Sequence, residues 1–190
     1  MVVASQKTRA EDGDREWGPK ATLSLSELRT RARRLRLVVS DNDGVLTDAG
    51  VYYSERGEEL KRFSVRDGMG VERLRQAGVT TGILTREISG CVKARGQKLK
   101  LPFVWLGVLD KCAHLDTILQ EAKIDIAELA FIGDDVNDTE LMRTVGEAGL
   151  TAAPYDAMAI ARDSAHYVCR SSGGFGAFRD FAEWILELRT

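Results

Sequence analysis

Short apolar runs alternate with amphipathic segments along most of the chain, and this alternation limits the folds that it can adopt. The apolar runs lie at 37–39, 79–84, 103–106 and 129–132, and each is followed by a segment with helical periodicity. Strands that alternate with helices form parallel sheets through right-handed crossovers. The sequence therefore predicts an α/β fold in which helices flank a Rossmann-like parallel sheet.

The length of 190 residues suits one domain preceded by a short tail. Residues 1–23 are polar and of mixed charge, with Trp17 as their one aromatic residue, which predicts a disordered tail. Ser24 and Glu27 have the spacing of a capping box and predict the start of the first helix. We therefore expect the folded domain to span residues 24–190.

Charge and composition argue against several functional classes. Lys and Arg number 27 and Asp and Glu 29, a balance that disfavours binding to nucleic acid or to an anionic membrane. The N-terminal segment becomes charged too early for a secretion signal, which predicts that none is present. Cys91, Cys112 and Cys169 lie far apart in the sequence. This spacing is typical of free thiols in a reducing compartment. We therefore expect a cytoplasmic protein.

Polar residues follow all four of the predicted strands, at the point where each strand ends. They are, in chain order, Asp41 and Asp43, then Thr85, then Lys111, and last Asp134, Asp135 and Asp138. Because the carboxyl ends of parallel strands meet at one edge of a sheet, we expect these side chains to form one site.

A cluster of carboxylates repels itself unless a cation lies among them, and oxygen ligands of this kind suit Mg²⁺ together with a substrate phosphate. Asp41 and Asp43 lie on the same face of an extended segment, and Gly44 allows the chain to turn away after them. One of the two carboxylates could attack phosphorus while the other protonates the departing oxygen. Lys111 and Thr85 suit the remaining phosphate oxygens.

Each of these residues alone is weak support for a site. Asp134 and Asp135 could cap the following helix, as Thr85 could, and Lys111 could be a solvated charge at a helix start. A signalling receiver domain also gathers acids, a hydroxyl and a lysine, but there the acid pair precedes the lysine. The combination, in this order, favours a phosphatase.

The motifs resemble those of the haloacid dehalogenase superfamily, and more narrowly the nearly capless phosphatases of 3-deoxy-ulosonic acid phosphates. The C-terminal domain of acylneuraminate cytidylyltransferases is also similar. The resemblance covers residues 36–188 and rests on the segments DGVLTDAGVYY, GEELKRFSVRDGMG, GILTRE, GVLDK, FIGDDVND and GGFGAFRD.

The resemblance implies a role for each residue at the predicted site. Asp41 would be the nucleophile and a Mg²⁺ ligand, and Asp43 the general acid and base with its backbone carbonyl on the metal. Asp134 would be a direct ligand. Among the remaining residues, Asp135 would support the metal, Asp138 would position Lys111, and Thr85 and Lys111 would hold the phosphoryl oxygens.

The resemblance also implies how the leaving group and the neighbouring subunits are bound. Segment 47–65 would be a β-hairpin that replaces a cap domain and builds a homotetramer. Glu87, Arg95 and Lys98 match the enzymes of nine-carbon nonulosonate 9-phosphates, whereas Arg66 belongs to a segment typical of the eight-carbon octulosonate type. We take all four as candidates for the leaving group, with a slight preference for a nine-carbon substrate.

The sequence therefore predicts a Mg²⁺-dependent phosphomonoesterase for a sugar-acid phosphate, acting through a phospho-aspartyl intermediate. One alternative is a non-catalytic oligomerisation domain, like the unit in the cytidylyltransferases. The complete set of Asp41, Asp43, Lys111 and Asp134 disfavours it, because a scaffold does not need them. Transfer of the phosphoryl group to a second sugar is another alternative, although no cap large enough to hold that sugar is visible.

Overall fold

The computed structural model describes residues 17–20 and 23–190 of the chain. The strands in these residues are β1 (Gly18–Pro19), β2 (Leu37–Ser40), β3 (Val51–Ser54), β4 (Gly57–Lys61), β5 (Thr80–Leu84), β6 (Phe103–Trp105), β7 (Leu129–Ile132), β8 (Leu150–Ala153) and β9 (Tyr167–Val168). The α-helices are α1 (Leu25–Arg34), α2 (Val65–Gln76), α3 (Gly90–Lys98), α4 (Leu115–Ala122), α5 (Thr139–Gly146), α6 (Ala159–Asp163) and α7 (Ala177–Arg189).

Seven strands form one sheet in the order β1-β9-β8-β7-β2-β5-β6. All neighbours are parallel except β1, which runs antiparallel to β9. Strand β2 lies between β5 and β7, with Ser40 opposite Ile83 on one side and Ile132 on the other. The carboxyl ends of β2, β5 and β7 therefore meet at one edge, and the predicted fold class is confirmed.

Helices cover both faces of the sheet, which explains why its central strands are continuous apolar runs. Val38 packs on the face covered by α1, α2, α3 and α7, whereas Leu37 and Val39 pack on the face covered by α4, α5 and α6. Every residue of β2, β7 and β8 is buried. This rigid sheet fixes the positions of the loops that follow its strands.

Strands β3 and β4 form a separate antiparallel hairpin between β2 and α2, inside the predicted segment 47–65. The turn at Gly57 has a φ of 109°, a conformation that glycine adopts without strain. The side chains of Tyr52, Tyr53 and Leu60 are 62%, 70% and 63% exposed. The hairpin thus carries an apolar surface that no other described part of the chain covers.

Part of the predicted tail belongs to the sheet. Gly18 pairs with Val168, and the guanidinium of Arg170 lies 4.0 Å from the ring centre of Trp17. Backbone pairing at a sheet edge needs almost no apolar side chain, so hydrophobic patterning gave no sign of it. Residues 17–20 of the predicted tail therefore lie against the sheet, whereas its residues 1–16, 21 and 22 lie outside those described.

Among the described residues, no helix is both long and apolar enough to cross a membrane. Cys91, Cys112 and Cys169 all lie in the described part of the chain, and each is a free cysteine there.

Candidate active site

The loop after β2 brings Asp41 and Asp43 to the carboxyl edge of the sheet. The backbone N–H of Asp41 donates to the carbonyl of Ile132 at 2.9 Å, which joins this loop to β7. Gly44 has a φ of 81°, and a Cβ there would lie 1.8 Å from Oδ2 of Asp134. Only glycine lets the two acidic loops approach this closely.

Lys111 lies between the two acidic loops, and its side chain is 0% exposed. Its Nζ is 2.8 Å from Oδ1 of Asp41 and 2.6 Å from Oδ1 of Asp138. Burial alone would lower the pKa of Lys111, but the two carboxylates outweigh it and hold that pKa above its ordinary value. Lys111 is therefore a permanent cation at the bottom of the site.

Asp138 fixes the loop that follows β7. Its Oδ2 accepts the backbone N–H groups of Asp134 at 2.9 Å and Asp135 at 3.2 Å, while its Oδ1 accepts from Lys111. A Cβ on Gly133 would lie 2.5 Å from the Cβ of Asp138, so glycine is required here too. Asp138 thus holds Lys111 and the loop in one arrangement.

The carboxylates fit a divalent metal ion. Oxygens of Asp41, Asp134 and Asp138 all lie within 4.8 Å of one another. Burial raises the pKa of Asp41 and of Asp134, and the neighbouring carboxylates raise both pKa values further. A cation among these oxygens would relieve that repulsion.

The three-carboxylate cluster differs from the predicted set of Asp41, Asp43 and Asp134. Asp138 belongs to the cluster, but hydrogen bonds from Lys111 and two backbone N–H groups already engage both of its oxygens. Asp43 was expected to contribute its backbone carbonyl, and its carboxylate lies outside the cluster. Asp41 and Asp134 are therefore the better side-chain ligands.

Asp43 forms an ion pair that the sequence analysis missed. The Nζ of Lys61, at the end of β4, lies 2.7 Å from both carboxylate oxygens of Asp43. The hydroxyl of Thr47 and the side-chain amide of Asn42 also donate to Oδ1, each at 3.1 Å. The sequence signal for this ion pair was a basic residue inside the predicted hairpin segment 47–65, but basic residues are common on surfaces.

A cavity of about 220 Å³ opens at this edge of the sheet. The residues that line it are Asp41, Asp43, Ala49, Thr85, Arg86, Glu87, Asp134, Asp135 and Asn137. Thr85 is buried, and its hydroxyl accepts the backbone N–H of Glu87 at 3.1 Å. Arg86 and Asn137 were not predicted as site residues, although Arg86 directly follows Thr85 and Asn137 directly precedes Asp138.

The four candidates for the leaving group are separated in the single chain. Glu87 lines the cavity, whereas Arg66, Arg95 and Lys98 are not among its lining residues. The guanidinium of Arg95 donates to the carbonyl of Ser64 at 2.8 Å, and Arg66 and Lys98 are exposed. One chain therefore brings only Glu87 of this group to the acidic cluster.

Comparison with known proteins identifies the family of the chain. No protein-family model matches it. The chain is 35% identical over 156 residues to the 3-deoxy-D-manno-octulosonate 8-phosphate phosphatase of Yersinia pestis, with 82% of each chain covered. It is 30% identical over 160 residues to the enzyme of the same name from Haemophilus influenzae, covering 84% of this chain and 87% of that one. The chain belongs to the 3-deoxy-D-manno-octulosonate 8-phosphate phosphatase family.

Solved structures agree with this assignment. The phosphatase of this name from Moraxella catarrhalis, in complex with magnesium, phosphate and 3-deoxy-D-manno-octulosonate (KDO), has a TM-score of 0.80 and 31% identity, covering 87% of this chain and 94% of that one. A hydrolase of haloacid dehalogenase subfamily III A from Legionella pneumophila has a TM-score of 0.80 and 30% identity, covering 87% and 89%. The predicted superfamily and the enzyme class, phosphoric monoester hydrolase, are confirmed.

Related structures contain divalent metal ions. Besides the magnesium complex, a related structure is the cobalt-bound phosphatase of Haemophilus influenzae, with a TM-score of 0.79, 30% identity and coverage of 84% of this chain and 91% of that one. Members of the 3-deoxy-D-manno-octulosonate 8-phosphate phosphatase family thus bind divalent ions, and this chain has a cluster of three aspartates that could do the same.

Proposed function

We propose that the chain is a Mg²⁺-dependent phosphatase that hydrolyses the phosphate ester of a 3-deoxy-2-ulosonic acid. One arrangement carries this proposal: the buried Lys111 lies between Asp41 and Asp138, and Asp41 and the neighbouring Asp134 line a cavity. A surface acid pair or a helix cap would have no reason to bury Asp41, Lys111 and Asp138 together beside the half-buried Asp134.

Asp41 is the nucleophile in this proposal. Its carboxylate attacks phosphorus, the ester oxygen leaves, and an aspartyl phosphate forms on Asp41. Asp43 gives its proton to the leaving oxygen and then takes a proton from the water that hydrolyses the aspartyl phosphate. The products are the free sugar acid and inorganic phosphate, and both aspartates return to their starting states.

Lys111 and Thr85 hold the phosphoryl oxygens, since the Lys111 ammonium is permanently charged and Thr85 lines the cavity. Asp41, Asp134 and the backbone carbonyl of Asp43 would hold Mg²⁺, with Asp135 in support. Bound Mg²⁺ supplies the positive charge that lets an anionic nucleophile approach an anionic phosphate.

The relatives favour the eight-carbon ester as substrate, because those compared above are named for 3-deoxy-D-manno-octulosonate 8-phosphate. The sequence pattern at Glu87, Arg95 and Lys98 had given a slight preference for a nine-carbon ester, and no comparison supports that preference. The Arg95 guanidinium donates a hydrogen bond to the Ser64 carbonyl in the single chain, which further weakens the preference for a nine-carbon ester. We therefore place 3-deoxy-D-manno-octulosonate 8-phosphate first.

A homotetramer built through the hairpin completes the proposal. The exposed side chains of Tyr52, Tyr53 and Leu60 suit an interface with other copies of the chain. A neighbouring subunit could then help to cover the cavity and to bring basic residues such as Arg66 and Lys98 near the leaving group. A cytoplasmic location and the absence of nucleic-acid and membrane partners stay predictions.

A phosphate-release assay with Mg²⁺ tests the proposed function. Wild-type protein is offered eight-carbon octulosonate 8-phosphate, nine-carbon nonulosonate 9-phosphates and a simple hexose phosphate, with Asp41→Asn as the control. We expect the fastest release from the eight-carbon ester and none from the variant. Absence of release from every ester, in a folded oligomer, would favour the scaffold alternative.

A further inference from the structure

Lys61 has a buried cationic side chain, although the other strand of its hairpin, β3, is exposed throughout. It is the last residue of β4, and its side chain is only 1% exposed, whereas that of Leu60 beside it is largely in solvent. Burial alone would lower the pKa of Lys61, but Asp43 and Glu58 outweigh it and hold that pKa above its ordinary value. The ion pairs with Asp43 and Glu58 therefore compensate the cost of burying this charge.

The contact between Lys61 and Asp43 involves both carboxylate oxygens. Oδ1 of Asp43 has further donors in Thr47 and Asn42, whereas Lys61 is the only hydrogen-bond donor that Oδ2 has among the described residues. A carboxylate held by one oxygen can rotate about that oxygen. Lys61 therefore fixes the plane of the Asp43 carboxylate and, with it, the direction of its outer oxygen.

Lys61 itself is held in place by a second acid. Its Nζ lies 3.5 Å from Oε2 of Glu58, and the hydroxyl of Ser89 donates to Oε1 of Glu58. Ser89 is the N-cap of α3, where its hydroxyl also accepts the N–H of Val92 at 3.3 Å. A continuous set of contacts thus runs from α3 through the hairpin to Asp43.

We propose that Lys61 is a positioning residue for the reaction, which aims the Asp43 carboxylate at the leaving oxygen. This inference rests on the proposed function, because it takes Asp43 as the general acid. A group that transfers a proton must lie within hydrogen-bond distance of its target, so a freely rotating carboxyl group gives its proton, and takes it back, less efficiently. Lys61 need not touch the substrate to have this effect.

The test compares aryl phosphates with good and poor leaving groups, because only a poor leaving group needs protonation. Lys61→Met, which keeps the length of the side chain, should lower kcat on phenyl phosphate by about tenfold to a hundredfold. On dinitrophenyl phosphate kcat should fall by no more than about threefold, and KM should stay within about twofold on both esters. Lys61→Arg should restore part of the lost rate.

A double-mutant cycle separates positioning from a general effect on the fold. In an Asp43→Asn background, Lys61→Met should change kcat by less than about twofold, because the group it positions is already lost. Lys93→Met, at an exposed position of α3, is the matched control and should behave like wild type. Circular dichroism and melting temperature check that each variant folds, and Lys61→Gln replaces any variant that does not.

The possible failures are distinguishable. Equal losses on both aryl phosphates, or full additivity with Asp43→Asn, would overturn the role of Lys61 while leaving the proposed function standing. Wild-type rates for Lys61→Met on phenyl phosphate would do the same. A wild-type protein that hydrolyses no phosphate ester with Mg²⁺ would overturn the proposed function and this inference together.

Discussion

At the carboxyl edge of the sheet, the charged side chains of Asp41 and Lys111 are buried, whereas on the hairpin the apolar side chains of Tyr52, Tyr53 and Leu60 are exposed. Each region reverses the usual distribution of residue types. Buried charges cost several kcal/mol each before their partners compensate. An exposed Leu side chain forgoes up to about 1.5–3 kcal/mol that full burial would contribute.

The two reversals have different explanations. The buried charges lie within hydrogen-bond distance of one another, so their partners belong to the same chain, and the repulsion that remains favours a cation. The exposed apolar side chains have no partner among the described residues of the chain, so we expect their partner to be another copy. Activity and stability that depend on the carboxyl edge should therefore change with metal and with charge substitutions. The oligomeric state that depends on the hairpin should change with protein concentration.

The largest expected effect is the loss of activity in Asp41→Asn. The substitution keeps the shape of the side chain but removes the charge of the proposed nucleophile, so phosphate release should fall by about 10⁴-fold or more. The melting temperature should not fall, because the variant relieves repulsion among buried acids. Near-wild-type release would show that another residue attacks phosphorus.

Metal dependence sharpens the comparison further. The pKa of Asp134 is raised in the folded chain, so without metal its contribution to stability falls as the pH rises through that raised value. Asp134→Asn should therefore increase the free energy of unfolding at pH 8 by about 1–2 kcal/mol in chelator, and should abolish stabilisation by Mg²⁺. Chemical denaturation with and without Mg²⁺ measures both effects.

Glu140→Gln, at an exposed position of α5, is the control for that experiment and should change neither quantity. The same samples test catalysis. Wild-type activity should vanish in chelator and return with Mg²⁺, and Ca²⁺ should restore it poorly, because Ca²⁺ prefers more ligands in a looser geometry. Full turnover in chelator would contradict the metal site.

On the hairpin, Leu60→Lys should dissociate the assembly without unfolding the subunit. The side chain is exposed in the single chain, so the charge has no cost there, but it would be buried and unpaired in an interface. Light scattering at micromolar concentration should report a tetramer for wild type and smaller species for the variant. Arg29→Glu, on the exposed side of α1, should stay tetrameric, and a monomeric wild type would refute the prediction.

The smallest effect concerns substrate choice. Glu87→Ala should lower kcat/KM for the sugar-acid phosphate by roughly tenfold, the loss of one charge-assisted hydrogen bond of about 1.5–3 kcal/mol. The backbone contact of Glu87 with Thr85 survives this change, so the rate on a small aryl phosphate should hold. Equal losses on both substrates would mean that Glu87 supports the metal site or the fold.

Sequence patterns predicted the carboxyl edge better than its surroundings, for physical reasons. Asp41 and Asp134 follow buried strands, and a parallel sheet leaves one edge where such residues can meet. Lys61 was missed because its place above Asp43 depends on how the hairpin folds back, which no periodicity records. The edge strand Gly18–Pro19 was missed because backbone pairing carries no apolar signal.

Helix boundaries show the same limit. The apolar spacing of residues 69–77 is by itself typical of a helix that starts at residue 69, whereas α2 begins at Val65. The Ser64 side chain accepts the N–H of Arg66 and starts the helix at Val65, six residues before its first buried apolar side chain, Val71. Local capping, and not burial, fixed that end.

The central claim is that Asp41 carries the phosphoryl group, and trapping that intermediate tests it most directly. Borohydride reduces an aspartyl phosphate to homoserine, so enzyme quenched with borohydride during turnover can be digested and mapped by mass spectrometry. We predict homoserine at position 41, dependent on both substrate and Mg²⁺, and none at Asp43 or Asp134. Continuous turnover with an unmodified Asp41, or homoserine at another aspartate, would contradict the account.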